Sequence, residues 1–453
     1  MAKKCFCGGE IVTNGAQILA DLLVIDDKIA AIGDKSSFSL EHDDEIIDCR
    51  GCVLIPGAID AHCHIQLDTG IFKTPDDWWI GSCEAARGGI TTVVDFVGPE
   101  PGEDLRHALD FRLSQSQKSV IDYTYHMTAL DAKAETLQSI RQCPLWGISS
   151  LKLYTTYRPN YYLDDASILK ILEAASEVGL TTLIHCENDA IVSAESARHA
   201  DESLWRAYPA MRPGIAEVEA AERMIRLAEY AHARLVIAHN SMAETAAAVA
   251  RGRRRGVQVF NETTPQYMFL CDGDNRNSSE PWRYILQPPL RSLENNSGLQ
   301  KAVLNGDVDM VITDHCAYTR DQKINAPTGT PGGLPGLETL VCLTAAIPGI
   351  SWADVVRVLC RNPAKIYGLW PHKGDLLPGF DADIVVLRDE AYRIDESQLT
   401  TFAGYSPFDG KDARGRICRV FRRGEEIVCD GQIKGVPGSG RFIYAAAFRD
   451  SHS

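Results

Sequence analysis

The chain has 453 residues, 45% hydrophobic and 24% charged, which is enough for one large barrel and a smaller domain, each with an ordinary core. Its formal net charge of −15 excludes the basic surface that nucleic-acid binding requires and disfavours an anionic membrane surface. No run of about 18 apolar residues is present, so no spanning helix is expected.

The chain starts MAKKCFCGGEIVTNG, with no apolar stretch long enough for a signal peptide. The 14 cysteines are scattered through expected strands and helices. Together these predict a cytoplasmic protein with reduced thiols and no disulfide framework. Cys5-Phe6-Cys7 and Cys49-Arg50-Gly51-Cys52 are the close pairs, and both read as strand residues of a small domain.

Residues 1–56 alternate short apolar runs with turn signals (EIVTNGAQ, ADLLVIDDKIAAIGD, DEIIDCRGCVLIPG), which predicts strands and hairpins. Residues 373–436 read the same way, so both chain ends are expected to pair as one β-sandwich domain. Between them, over 57–372, apolar runs alternate with helical patterns such as DDASILKILEAASEVG and GIAEVEAAERMIRLAEYA. Eight runs are strand-like: Ala58–His64, Ile90–Phe96, Ile121–Thr128, Ile148–Thr155, Thr181–Glu187, Arg234–Ser241, Val257–Thr264 and Met310–His315. Eight strand–helix units predict an α/β fold, a (β/α)8 TIM-like barrel. Residues 437–453 form a tail, for which an intersubunit contact is one hypothesis.

Barrels of this kind place their chemistry at the C-terminal strand ends. The first run ends in Asp60-Ala61-His62-Cys63-His64, where His62 and His64, two apart, face the same side of a strand. The fourth delivers Lys152, the fifth His185, the sixth His239 and the eighth Asp314. Each alone has an ordinary account: a satisfied polar residue, a surface lysine or a helix cap. Their joint placement at the ends of apolar strands is what points to a metal centre. Cys63, Cys186 and Cys316 stand beside these positions and are expected to pack on the opposite face.

The motifs PGAIDAHCH (56–64), SSLKLYTTY (149–157), LIHCEND (183–189), NETTPQY (261–267), ITDHC (312–316), GLPGLET (333–339), KGDLLPGFDAD (373–383) and YSPFDG (405–410) resemble those of cyclic amidohydrolases. Among these the chain looks like the dihydropyrimidinase/hydantoinase family, including phenylhydantoinases. The resemblance implies two zinc ions per chain, bridged by a carbamylated Lys152 and a hydroxide. One zinc would be held by His62, His64, Asp314 and the modified Lys152, the other by His185, His239 and the same Lys152. An unmodified ammonium has only donors and cannot ligate a cation. Asp314 would take the proton of the attacking hydroxide and pass it to the leaving nitrogen. Tyr157 would help to hold the oxyanion. A homotetramer or homodimer is also implied, acting on a small cyclic amide.

Two departures from the resemblance fall on substrate recognition. Gln287 stands where hydantoinases carry serine before PPLR, and Gly332 where they carry asparagine before Pro-Gly. Gln66 replaces the arginine that dihydroorotases use for a substrate carboxylate, which disfavours dihydroorotate. The segment FKTPDDWW from Phe72, with Tyr154, reads equally as an apolar wall for a ring substituent or as core aromatics. The leading expectation is ring opening of a dihydropyrimidine or 5-substituted hydantoin to an N-carbamoyl amino acid. Allantoinase, another cyclic or linear amide hydrolase, and a non-catalytic scaffold relative are the alternatives.

Overall fold

A computed structural model describes residues 3–325 and 330–448. Two sheets organise them. Eight parallel strands pair in chain order: Ala58–Asp60, Ile90–Val97, Asp122–Thr128, Ser150–Tyr154, Thr181–His185, Arg234–Ile237, Val259–Thr263 and Met310–Val311. All eight expected runs are strands, each within a few residues of its reading. The first and last meet through a parallel bridge between Cys63 and His315, which closes the barrel. The strands are buried almost throughout, as parallel strands covered on both faces must be. Both helical patterns read from the sequence form helices, Asp165–Glu177 and Gly214–Ala231.

The second sheet is mixed and nine-stranded, and it unites the chain ends. The strand Lys3–Thr13 pairs antiparallel with Ala16–Ile25 and parallel with Val53–Pro56. Val53–Pro56 in turn pairs antiparallel with Ile384–Arg393. The hairpins follow from local chemistry: Asn14-Gly15 and Asp430-Gly431 both adopt positive φ, as a two-residue turn matched to strand twist requires. Cys5 and Cys7 lie on the first strand. Cys49 and Cys52 instead flank a turn, with the Cys52 amide donating to the Cys49 carbonyl, because Gly51 takes a left-handed φ of 74°.

KGDLLPGFDAD joins the two sheets. Lys373 is buried, and its ammonium lies 2.6 Å from Asp122 at the start of the third barrel strand, 2.9 Å from Asp381 and 2.7 Å from Asp383. Arg423 also pairs with Asp122. A buried charge is tolerated only when paired in this way.

The C-terminal tail is a strap across the N-terminal end of the barrel. The amides of Gly440, Ile443, Ala445, Ala446 and Phe448 donate to the carbonyls of Ser119, Tyr123, Gly147, Gly368 and Gly179. Residues 440–448 thus bond within their own chain; 449–453 lie outside the described residues. The strap fits because the groove beneath it lacks side chains. Gly179 has φ 71°, and a Cβ there would stand 2.1 Å from the Phe448 carbonyl oxygen. Gly179→Ala combines backbone strain with this clash and is expected to cost about 2–3 kcal/mol. It should lower the denaturation midpoint and speed tryptic cleavage after Arg441; an unchanged midpoint and cleavage rate would refute the strap.

Candidate active site

The barrel end opposite the strap opens into a cleft of about 880 Å³. All six residues picked out at the strand ends line it, together with Tyr157, Gln287 and Gly332. Closure of the barrel assembles the first group. The Asp314 amide donates to the His62 carbonyl and the His64 amide to the His315 carbonyl. The Asp314 carboxylate consequently lies 3.3 Å from His62 Nε2 and 3.4 Å from His64 Nε2. The ligand atoms of these three residues lie within 4.8 Å of one another, close enough to share one cation.

The second group comes from the fifth and sixth strands. His185 Nδ1 and His239 Nε2 face each other at 2.9 Å. Lys152 stands between the groups, its Nζ 3.4 Å from His62 Nε2. It is 1% exposed, and the His62 ring is its hydrogen-bonding neighbour, with the Glu262 and Asp314 carboxyls farther off. The rings of Phe96 and Tyr154 lie about 5 Å from the ammonium. An isolated buried ammonium is costly, so the amine is driven towards neutrality, and burial lowers its pKa to about 8.

Burial also makes the imidazoles ligand-competent. It pushes His62 well below the usual imidazole range, with the Lys152 charge adding to the effect. His239 is lowered in the same way by burial and by His185, and His185 by burial. Neutral imidazoles keep a lone pair for a metal. Glutamate side chains hold two of them from behind, Glu187 as a carboxylate and Glu262 as a carboxyl that burial raises to about 8. Glu262, on the seventh strand, holds His62 Nδ1, leaving Nε2 to face Asp314 and Lys152. Glu187 accepts from His185 Nε2 at 2.7 Å, leaving Nδ1 to face His239. Burial alone would raise Glu187, but Arg212 and His185 hold it near 2. With the outer nitrogens of His62 and His185 held and their inner nitrogens turned to the cleft, the donor set beside Asp314 fits a divalent cation.

Backbone strain concentrates here. Tyr157, His239 and Asp314 have φ of 75°, 31° and 48°, values that non-glycine residues rarely adopt. The Tyr157 ring packs 4.8 Å from that of His185, with the Arg212 guanidinium 5.2 Å from its face. Burial raises the Tyr157 phenol well above its ordinary range, so it stays protonated and can donate.

The remaining candidates divide. Phe72 and Tyr154 line the cleft, whereas Trp78 is core, packed under Arg112 and beside Tyr123. Gln66 lines the cleft too, but its side-chain oxygen caps the Trp78 amide. Cys63 and Cys186 are buried packing residues; Cys316 borders the cleft. Sequence reasoning passed over Glu187 and Glu262, although both lie inside quoted motifs. Their signal was a carboxylate at the end of an apolar strand, Glu187 two residues after His185. Arg212 and Tyr208 carried no such signal, since helices after the fifth strand bring them in.

The chain matches the amidohydrolase family over residues 53–427. It is 36% identical to a D-phenylhydantoinase of Escherichia coli O7:K1 (strain IAI39), with 97% of each chain covered. Among solved structures it superposes on a dihydropyrimidinase from Brevibacillus agri NCHU1002 with a TM-score of 0.94 and 31% identity, covering 99% of this chain and all of that one. A D-hydantoinase from a Bacillus sp. AR9 gives 0.95 and 32% with the same coverage. An L-hydantoinase from Arthrobacter aurescens gives 0.88 and 27%, covering 98% and 100%.

Glu187→Gln and Glu262→Gln should each weaken the binding of a divalent metal ion roughly ten- to a hundredfold in a chelator competition titration, with the fold intact by circular dichroism. Wild-type affinity in both would refute the orienting role. On the match of sequence, fold and site together, the chain belongs to the amidohydrolase family, in its hydantoinase and dihydropyrimidinase branch.

Proposed function

We propose that this enzyme opens the ring of a dihydropyrimidine or a 5-substituted hydantoin to give an N-carbamoyl amino acid, using two zinc ions. The observation that carries the reading is the convergence of His62, His64, Asp314, His185 and His239 around a buried Lys152. Carbamylation of Lys152 by carbon dioxide would exchange the buried cation for an anionic group with two oxygens able to ligate metal. His62, His64 and Asp314 would hold one ion and His185 and His239 the other. Held there, such ions would lower the pKa of a bound water to supply a hydroxide nucleophile at neutral pH and would polarise the scissile carbonyl.

The chain's own residues account for the remaining chemistry. Asp314 reaches into the cleft between His62 and His64, where its carboxylate can accept the proton of the attacking oxygen and return it to the departing ring nitrogen. That return matters because a ring nitrogen is a poor leaving group until protonated. Tyr157, held protonated by burial, donates to the oxygen that gains charge as the carbonyl becomes tetrahedral. Phe72 and Tyr154 offer an apolar wall to a ring substituent. Arg112 lines the cleft but is bound to Asp95 at 2.6 Å, so it is not a free anchor for an anionic substrate such as dihydroorotate.

Purified with zinc and bicarbonate, the enzyme should open dihydrouracil, hydantoin and 5-phenylhydantoin, seen as loss of ultraviolet absorbance. Lys152→Ala should lose at least about three orders of magnitude together with its metal. Turnover of allantoin alone would favour an allantoinase, and absence of both turnover and metal a scaffold.

The lowered pKa of Lys152 gives a second expectation. Only the neutral amine attacks carbon dioxide, and its fraction rises with pH until the pKa of about 8. In metal-free protein at fixed dissolved carbon dioxide, the initial rate of carbamate formation should rise about tenfold per pH unit below 8 and level off above it. Carbon-13 spectroscopy with labelled carbon dioxide reads that rate; a rise continuing to pH 10 would mean an unperturbed lysine.

A further inference from the structure

The N-terminal end of the barrel is plugged by the short helix Asn362–Ile366 and the residue that follows it, Tyr367. The Ile366 carbonyl accepts from the Thr181 hydroxyl at 3.2 Å and the Tyr367 carbonyl from the Ser149 hydroxyl at 2.6 Å, at the starts of the fifth and fourth strands. The strap holds the plug from below, its Ala446 amide donating to the Gly368 carbonyl at 2.9 Å. From this anchored backbone the Tyr367 side chain runs into the barrel interior. It is fully buried, in one apolar cluster with Val94, Phe96 and Leu183. Its ring stands edge-on to that of His126, with centroids 4.7 Å apart.

Two buried polar atoms meet at the end of that side chain. The Tyr367 hydroxyl and Glu262 Oε2 are both enclosed, and neither is hydrogen-bonded to any other group among the described residues. Glu262 Oε1 is engaged: it takes His62 Nδ1 and accepts from the His239 amide at 3.3 Å. Burial and then the Glu262 carboxyl raise the phenol well above its ordinary range, so the two groups lie face to face. A buried polar group without a partner is costly, and pairing these two removes both costs at once. The pairing holds in either state of the carboxyl, because a phenol donates to a carboxylate and accepts from a protonated one.

We propose that Tyr367 is a positioning residue for the metal centre, hydrogen-bonded through its hydroxyl to Glu262 Oε2 and thereby fixing the carboxyl that holds His62. The inference rests on the reading above that His62 binds metal. It connects the two ends of the barrel. The strap seats Gly368, Tyr367 spans the interior, and Glu262 orients His62 so that Nε2 faces Asp314 and Lys152. Tyr367 does not line the cleft, so its effect falls on how tightly metal is held and not on substrate contact.

The test uses Tyr367→Phe, which keeps the ring against His126 and removes the hydroxyl alone, with Glu262→Met and the double variant. Zinc affinity is read by chelator competition. Tyr367→Phe should weaken it about fivefold, as the loss of one buried hydrogen bond does. Glu262→Met should weaken it further, and the double should be no weaker than Glu262→Met, because the hydroxyl acts only through that carboxyl. Wild-type zinc affinity in Tyr367→Phe overturns the proposal, whether or not Glu262→Met folds. So does a full second loss in the double variant. The same cycle on metal-free protein reads the bond without zinc: Tyr367→Phe should lower the melting temperature in the wild-type background and not in the Glu262→Met background. An equal shift in both would mean that the tyrosine only packs, and would also overturn the proposal. Wild type that binds no zinc overturns the metal reading and the positioning role with it, while the metal-free cycle still separates a bonded pair from a packed ring.

Discussion

Closure of the barrel between its first and eighth strands is the constraint on which the site depends. Four hydrogen bonds span about 250 residues of chain: Asp314 to the His62 carbonyl, His64 to the His315 carbonyl, and the Thr313 amide and hydroxyl to the Asp60 carboxylate. They run from DAHCH to ITDH, so the groups that align the strands are interleaved with those proposed to bind metal. A small error in that register would separate Asp314 from the two histidines, and side chains two apart would turn to the wrong face. The bonds also explain why the last barrel strand needs only two residues of regular pairing, since the bridge at His315 continues its role.

The interior at this end of the barrel carries polarity that would be costly anywhere else. Histidines, a lysine and carboxyl groups meet here, and burial lowers the imidazoles of His62, His185 and His239 and the amine of Lys152. Left and right of this cluster, Tyr157, His239 and Asp314 sit in strained backbone. Strain and buried charge persist where surrounding structure over-determines them. Here that structure is the closed barrel, the Glu187–Arg212 pair behind His185, and Glu262 behind His62. The stability that tolerates these costs comes from the apolar cores of the barrel and of the second sheet.

Much of this was legible in the residues. Apolar runs with turn signals marked all eight barrel strands, because a strand buried on both faces has to be continuously apolar. Polar groups interrupting those runs at their ends stood out for the same reason, which is how His62, His64, Lys152, His185, His239 and Asp314 were found. Aromatics were harder. Phe72 and Trp78 lie in one short segment, yet one lines the cleft and the other is core. Periodicity could not separate them, since both environments favour the same side chains.

The sequence by itself determined the fold class, the strand ends where polar groups gather and the family, because these depend on local pattern and residue type. Only the tertiary structure decided which groups act in pairs. Glu262 reaches His62 across 200 residues and Gln287 fills the space left at Gly332, contacts between loops and strands that no spacing rule links. The tail shows the same limit: its short apolar run, FIYAAAF at 442–448, matches no strand or helix pattern that would place it. Its place under the barrel follows from side-chain-free grooves at Gly147, Gly179 and Gly368, which exist only once the strands are assembled.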